Sequence, residues 1–577
     1  MDIYVTPNGD PGGAGAKANP TTLQAALTRA ACSNTIIKMA TGTYTISSPI
    51  TGITSNITLE GGFDAANNWR KTSQAGATRI LRTNQNVEGC SDGTNAPRLV
   101  ALQISNASNF RLQDLTVEGE NAPAASSGCA SGRGVSTYAL YLSNCSNYQI
   151  VRCRFIVGNG GAGLSGSPGA AGRNAAAHQT PPSCGQPGDQ DNCGWTNGAG
   201  GSGATVPWGA NGGNGGNGGY DNNLGNSGAT SPCGGNIVCS GGGGGSGGNS
   251  CGASLGCDCN NANNWGVAGQ NGGNGNPGSP GTAGPAGSAG VWFVPGGQGG
   301  TGGQGQHGRG GGGGGGGGQT NLVCDWRGTG AGGGGGGAGG EGGFGGTGGW
   351  GGGGAFCIYL HSNSGGQFVD CEFNTPAAGA GGAGGPGGAG GAGSQGAGQG
   401  GNPTTCPRDD CDIGYGGRGG NGGNGGQGGT GGSGSAGLAA RIQLVSGSAP
   451  TLIQGGTPIA VSSGSNNPAS FGLSSQPVIT ASDIACTNTD VNFSAANSAA
   501  WTFGAGATPA TANTNNQNVQ YSSTGRKTIS YSGNTYTDFW NILIPNQTPT
   551  ITASATSICP GTAVSFTADL TGINYQW

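Results

Sequence analysis

The sequence predicts an all-β protein in which a parallel β-helix is interrupted by glycine-rich bundles of extended rods and followed by tandem β-sandwich modules. Three observations carry that expectation. One apolar pattern recurs at very unequal intervals: "LQISNASNFRLQDLTVEG" from Leu102, "LYLSNCSNYQIVRCRFIVG" from Leu140 and "IYLHSNSGGQFVDCEFNTP" from Ile358. Long tracts such as "YGGRGGNGGNGGQGGTGGS" (415–433) repeat with a period of three. A second strand pattern occurs twice near the end of the chain, as "ITASDIACTNTDVNFSA" and "ITASATSICPGTAVSFTA".

Taken in order, "TTLQAALTRAA" (21–31) has the apolar spacing of a short amphipathic helix. "NTIIKMATGTYTISSPITGITSNITLEGGFD" (34–64) then runs as short alternating strands separated by glycine turns. A helix followed by a Gly-Thr-Tyr strand and "NITLEGGF" resembles the opening of right-handed parallel β-helices of the pectate-lyase-like superfamily, over residues 2–85. The three later copies extend the pattern. They make Leu112, Ile150 and Phe368 equivalent, and likewise Val117, Phe155 and Phe373. Cys153 and Cys371 also fall at one position, so they are expected to stack inside adjoining rungs. Parallel rungs place such positions about 4.8 Å apart, each rung burying a face that none could bury alone.

A short step in sequence separates the first two copies and a very long one the next, so the β-helix leaves and resumes. The expected division is β-helix over 1–157, a glycine-rich insertion over 158–355, one rung over 356–376, a second insertion over 377–436, and final rungs with a linker over 437–475. A sandwich module over 476–547 and the start of another over 548–577 follow.

Within the insertions the third-position residues form rows. Examples are Ala380, Ala383, Pro386, Ala389 and Ala392; Asn211, Asn214, Asn217 and Tyr220; and Glu341, Phe344, Thr347 and Trp350. "GNPGSPGTAGPAGSAG" (275–290) is collagen-like. A period of three belongs to the polyproline-II helix, which has no internal hydrogen bonds, and paired glycines let neighbouring rods approach until N–H of one reaches C=O of the next. The alternative is a slack linker. Ordering costs about 1–2 kcal/mol per residue against about 0.5–1.5 returned per backbone hydrogen bond, so the rods need staples. Local pairs Cys184–Cys193, Cys233–Cys239 and Cys406–Cys411 are expected to tie the reversals, with Cys251, Cys257 and Cys259 forming a further knot. Such polyglycine-II packing resembles that of phage tail-tip adhesins and some antifreeze proteins in architecture alone.

Residues 476–547 resemble a PKD domain, an immunoglobulin-like sandwich, through Trp501, Phe503, Gly504, Gly506, Tyr521, Gly525 and Ile529; Ala505 stands where that family usually carries an acidic residue. Cys486 matches Cys559 in the second copy. The tandem arrangement resembles that of large Bacteroidota surface proteins, including gliding-motility adhesins. That resemblance implies a secreted, cell-surface protein whose modules form a stalk.

Twenty basic and 24 acidic residues among 577 give a net charge of −4, which supplies no footprint for nucleic acid. No apolar run is long enough to span a membrane, and "MDIYVTPNGD" reads as the start of a mature strand rather than a signal peptide. Nineteen cysteines suit an oxidising exterior, and the strand pattern still running at "GINYQW" reads as one piece of a longer chain attached to a cell-surface apparatus.

Catalysis on a β-helix would need paired acid and base groups. The aligned Asp114, Arg152 and Asp370 alternate in sign across rungs, as a solvated face with cross-rung ion pairs would. The expected function is therefore a non-catalytic adhesin that meets surface polysaccharide or another extracellular ligand through loops of the glycine-rich bundle. A polysaccharide lyase or hydrolase and an ice-binding protein are the alternatives. Trp208, Trp265, Trp292 and Trp326 lie at breaks between triplet runs, where they either plug rod ends or stand at tips as binding residues. No cofactor is expected. Asp409, Asp410 and Asp412 in "CPRDDCDIG" are either a weak Ca2+ site or a solvated turn.

Overall fold

The computed structural model describes residues 2–30, 35–71, 76–90, 94, 96–125, 132–187, 197–219, 224–231, 242, 244–248, 265–318, 329–374, 376–399, 414–454, 457–459, 484–494, 500–531, 536–543, 551–553 and 566–568. It is nearly all β, with parallel sheets. The helix Leu23–Ala30 buries Leu23, Ala26, Leu27 and Ala30, one helical face, against the first strands.

Successive turns of the chain then contribute one short strand to each of three sheets. One runs Asp2–Asp10, Thr35–Ala40, Ile57–Asp64, Arg111–Gln113, Gln149–Val151, Gln367–Val369 and Thr451–Gln454, all parallel. The second is Arg98–Ser105, Ser136–Ser143, Ala355–His361 and Ala439–Leu444. The third is Gly42–Ile46, Thr78–Arg82, Leu115–Gly119, Arg154–Ile156 and Glu372–Phe373. Register pairs Ile150 with Leu112 and Phe368, and Phe155 with Val117 and Phe373. The Phe155 and Phe373 rings stack with centroids 5.9 Å apart. One continuous core lies between the three sheets and includes Cys145, Cys153, Cys357 and Cys371 as buried free thiols. Burial pushes the Cys153 and Cys357 thiols up to about 12, so they behave as small apolar groups.

The corners between sheets are left-handed. Asn106, Asn144 and Ser362 share φ of 53–56°, and Asn56, Asn109 and Asn147 share φ of 50–62°. Asparagine tolerates this region better than other residues with a Cβ, and Asn144 Nδ2 donates to Asn106 Oδ1 at 2.8 Å from one turn to the next.

In the glycine-rich regions the chain forms straight tracts that bond to neighbouring tracts at every third residue. Gly163, Gly166, Gly169 and Gly172 donate to the carbonyls of Ala380, Ala383, Pro386 and Ala389 at 2.8–2.9 Å; Gly269, Gly272 and Gly275 do the same to Arg418, Asn421 and Asn424. The number of glycines per triplet matches a tract's depth. In 266–286, with mainly one glycine per triplet, that glycine is half-buried and the other two residues are exposed. In 379–392, with two, only the Ala/Pro row is exposed. The uninterrupted runs 310–318 and 332–337 are buried throughout. A Cβ at Gly336 would collide with the Gly311 carbonyl, because tracts lie on every side.

Polar third-row side chains complete the lattice where a neighbouring tract is missing. Asn211, Asn214 and Asn217 Oδ1 accept from the N–H of Val206, Gly203 and Gly200 at 2.8–2.9 Å. Asn271 and Asn274 do the same for Asn421 and Asn424.

The expected Cys184–Cys193 staple is not formed: Cys184 is a free, exposed thiol. The tract carrying it runs straight beside 198–205, through Ser183 N–H to Ser202 and Gln186 N–H to Ala199, so Cys184 precedes the reversal and lies near Gly398 instead. Cys193, Cys233, Cys239, Cys251, Cys257, Cys259, Cys406 and Cys411 lie outside the described residues.

Towards the C-terminus, the antiparallel strands Val491–Ser494, Asn516–Tyr521 and Ala507–Thr508 form one sheet, and a second contains Trp501–Thr502 and Gly525–Tyr531. Val491, Phe493, Trp501, Phe503, Val519, Tyr521 and Ile529 share a core. Tyr521 hydroxyl donates to the Phe503 carbonyl and Trp501 Nε1 to that of Thr514.

Candidate contact surface

The acidic and basic column is internal rather than solvated. Asp114, Arg152 and Asp370 occupy left-handed corners (φ 54°, 46° and 49°) and all three are buried. Arg152 Nε and Nη2 donate to the two Asp114 oxygens at 2.7 Å, and Lys71 Nζ lies 2.8 Å from Oδ2. Burial alone would raise the Asp114 carboxyl, but the Arg152 and Lys71 charges and their hydrogen bonds outweigh it and hold it well below the usual range. The pairs Arg154–Glu372 and Arg79–Glu118 lie nearer the surface. A carboxylate held ionised by two cations is poorly placed to exchange protons with a substrate.

The histidines are dispersed. His361 Nδ1 lies 3.4 Å from Ser143 Oγ in a strand. His307 is buried and its Nδ1 accepts from Gly342 N–H at 3.0 Å; burial, with Arg173 assisting against Glu341, pushes its pKa down. His178 meets the edge of Trp208.

The tryptophans divide. Trp208 is only 8% exposed, its Nε1 donates to the Gly339 carbonyl at 2.9 Å, and Arg173 lies over its ring at 4.9 Å, so it fills the bundle and offers no binding face. Its neighbours Val206, Ala204 and Ala210 are the apolar residues that interrupt the glycine rows there. Trp292 belongs to a hairpin, Ser288–Ala289 with Phe293–Val294, that clamps the bundle onto the outer face of the second sheet. It stacks on Tyr141 at 3.8 Å with the Arg98 guanidinium 4.0 Å from its centroid; Tyr359 and Tyr141 hydroxyls donate to the carbonyls of Gly290 and Val291. Trp265 is 40% exposed, edge-on to Tyr415 at 5.3 Å, beside Val267 at 56%. Trp326 and the candidate Ca2+ ligands Asp409, Asp410 and Asp412 lie outside the described residues.

Two rows stand out. In the row Glu341, Phe344, Thr347 and Trp350, Phe344 is 42% exposed, Thr347 and Trp350 are half-buried, and Glu341 is buried and ion-paired with Arg173 at 2.7 Å. Ala380, Ala383, Pro386, Ala389 and Ala392 are all exposed along one tract. Among the described residues no helix is long and apolar enough to cross a membrane, and no three His, Cys, Asp or Glu side chains are grouped to hold a metal.

No family model matches the sequence, and no curated protein matches it. Among solved structures the chain is similar to a rhamnogalacturonan lyase, with a TM-score of 0.19 and 15% identity over 30% of this chain and 47% of that one. The match spans less than half of that structure's length, and a likeness this slight carries no argument about activity.

Proposed function

We propose that the protein is a secreted, cell-surface adhesin head without catalytic activity: a right-handed parallel β-helix carrying a polyglycine-II bundle, borne on a stalk of PKD-like modules of the kind found in Bacteroidota gliding-motility adhesins. Its ligand is surface polysaccharide. The observation that carries this reading is the patch formed by exposed Trp265 and Val267 with half-buried Tyr415, on tracts bonded to each other by the Gly266 N–H and Tyr415 carbonyl. A flat ring held by a rigid scaffold loses little entropy on meeting a sugar face, and neighbouring amides supply donors. The internal pairing of Asp114 and Arg152 supports a non-catalytic role. In the full chain, Trp265→Ser with Tyr415→Ser should reduce attachment to polysaccharide-coated surfaces by roughly tenfold or more, as loss of an aromatic anchor does. Unchanged attachment rejects the patch.

A second reading has its own observation. The exposed row of Ala380, Ala383, Ala389 and Ala392 is small, regular and straight, which suits ice binding. Thermal hysteresis in the purified protein, abolished by Ala383→Lys, would favour that reading; none would remove it.

A further inference from the structure

Lys71, Glu60 and Asp114 meet in a closed space beneath the short strand Arg70–Lys71. Lys71 Nζ is 2.6 Å from Glu60 Oε1 and 2.8 Å from Asp114 Oδ2, and all three residues are at most 4% exposed. The Phe63 ring centroid lies 4.7 Å from the same nitrogen. Gly62, at φ 85°, lies against the pair, where a Cβ would make ordinary contact with Lys71 Cε at 3.4 Å and Asp114 Cβ at 3.9 Å. On the far side Arg152 binds both Asp114 oxygens, and Gln113 Nε2 reaches Asp114 Oδ2 at 3.2 Å and Glu60 Oε1 at 3.3 Å.

We propose that Lys71 Nζ and Asp114 Cγ become joined by an amide bond in the folded protein, with Glu60 carrying the protons. Glu60 carries a proton from the Lys71 ammonium to Asp114 Oδ2, which removes the Lys71 charge that held the carboxylate ionised, and the free amine then attacks Cγ of the neutral carboxyl. Oδ2, the oxygen facing Lys71, leaves as water with two protons that came from the ammonium, the second also passing through Glu60. Oδ1 remains as the amide oxygen, where the Arg152 Nε–H stabilises the negative charge that develops during attack. An ammonium and a carboxylate thus become one amide and one water, with no oxidant and no other co-reactant. Within this cluster two cations and two anions become one of each, Arg152 and Glu60, so no net charge is left buried.

Three features favour the step over a permanent ion pair. The reacting groups are held in contact, where effective concentrations reach about 10⁵–10⁸ M. A carboxylate stands ready to move the protons. The surroundings exclude the bulk water that would otherwise solvate both charges. The product would fasten the strap Arg70–Lys71 to the turn after Arg111–Gln113, a covalent link suited to a protein under load.

The test is intact mass on the full chain after denaturation, reduction and alkylation. The wild-type protein should be lighter than its sequence by one water, and proteolysis should yield a branched peptide containing Lys71 and Asp114, with trypsin unable to cut after Lys71. Lys71→Arg and Glu60→Gln should restore the sequence mass. The proposal is overturned by wild-type protein of full sequence mass that trypsin cuts after Lys71. It is equally overturned if the missing water maps to a cyclised Asp elsewhere. The branched peptide is read on the wild type, so the result stands even if a variant fails to fold.

Discussion

Replacing Gly336 by alanine tests whether the glycine tracts are packed. Gly336 donates to the Gly213 carbonyl at 2.8 Å and accepts from Ala204 N–H at 2.9 Å, while a Cβ would collide with the carbonyl group of Gly311. The obstruction is backbone, which has no rotamer to change. Separating this tract from the Gly311 tract far enough to admit a methyl weakens at least the two bonds that join them, Gly311 N–H to the Gly337 carbonyl at 2.8 Å and Gly314 N–H to that of Gly334 at 2.9 Å, at about 0.5–1.5 kcal/mol each, and adds overpacking strain of about 1–3 kcal/mol. Against this, alanine restricts the unfolded chain, worth about 0.4–1 kcal/mol in favour of folding. The balance is a loss of roughly 1–6 kcal/mol. Ala383→Ser on the exposed row is the control, with an expected change within about 0.5 kcal/mol. Denaturant unfolding followed by circular dichroism measures both. In a slack linker Gly336→Ala would be neutral or slightly stabilising, and that result would refute the packed-rod argument.

Two further predictions follow from single side chains. The Arg173 hydrogen bonds hold the Glu341 carboxyl below its ordinary value; the unfolded chain then binds more protons near pH 4, so this contribution is full above about pH 5 and is lost as pH falls through the folded value. With Arg173 half exposed the contribution is small, and Glu341→Gln should flatten the acid side of a pH series of unfolding midpoints. Trp292→Ala should cost about 2 kcal/mol and loosen the hairpin from Tyr141, read as faster hydrogen exchange at Gly290 and Phe293, whose amides bond to Tyr359 and Tyr138 hydroxyls.

Some neighbours could be read from spacing alone, because a parallel turn puts equivalent residues in register however much chain intervenes. Phe155 and Phe373 are such a pair. Side-chain direction was harder to read. Alternating signs at Asp114, Arg152 and Asp370 suggested an exposed face, but a left-handed corner turns these side chains inward, and sequence period gives no sign of that. The neighbouring Asn-rich corners were the available cue. For Trp208 the break in the triplets leaves filler and exposed tip both open, and the structure makes it filler: "TVPWGA" supplies Val206 and Ala210, which surround it in a small apolar cluster between tracts. Nearness in sequence suggests a partner for Cys184, but it lies on a straight tract as a free, exposed thiol.

The triplets encode more than a period. A threefold rod has three faces, and each face that meets another backbone at hydrogen-bonding distance excludes a Cβ. One glycine per triplet therefore specifies the rim, as in 266–286, and three specify the centre, as in 310–318. Side chains are left only for rim rows, reversals and the gaps where Asn amides stand in for an absent tract. Exposed side chains of the bundle are confined to those same places, so under the proposed function the patch at Trp265 and the rows through Phe344 and Ala383 are sites where a contact residue can change without disturbing the lattice. Recognition there can vary one side chain at a time, whereas any side chain added at the centre must first displace a backbone.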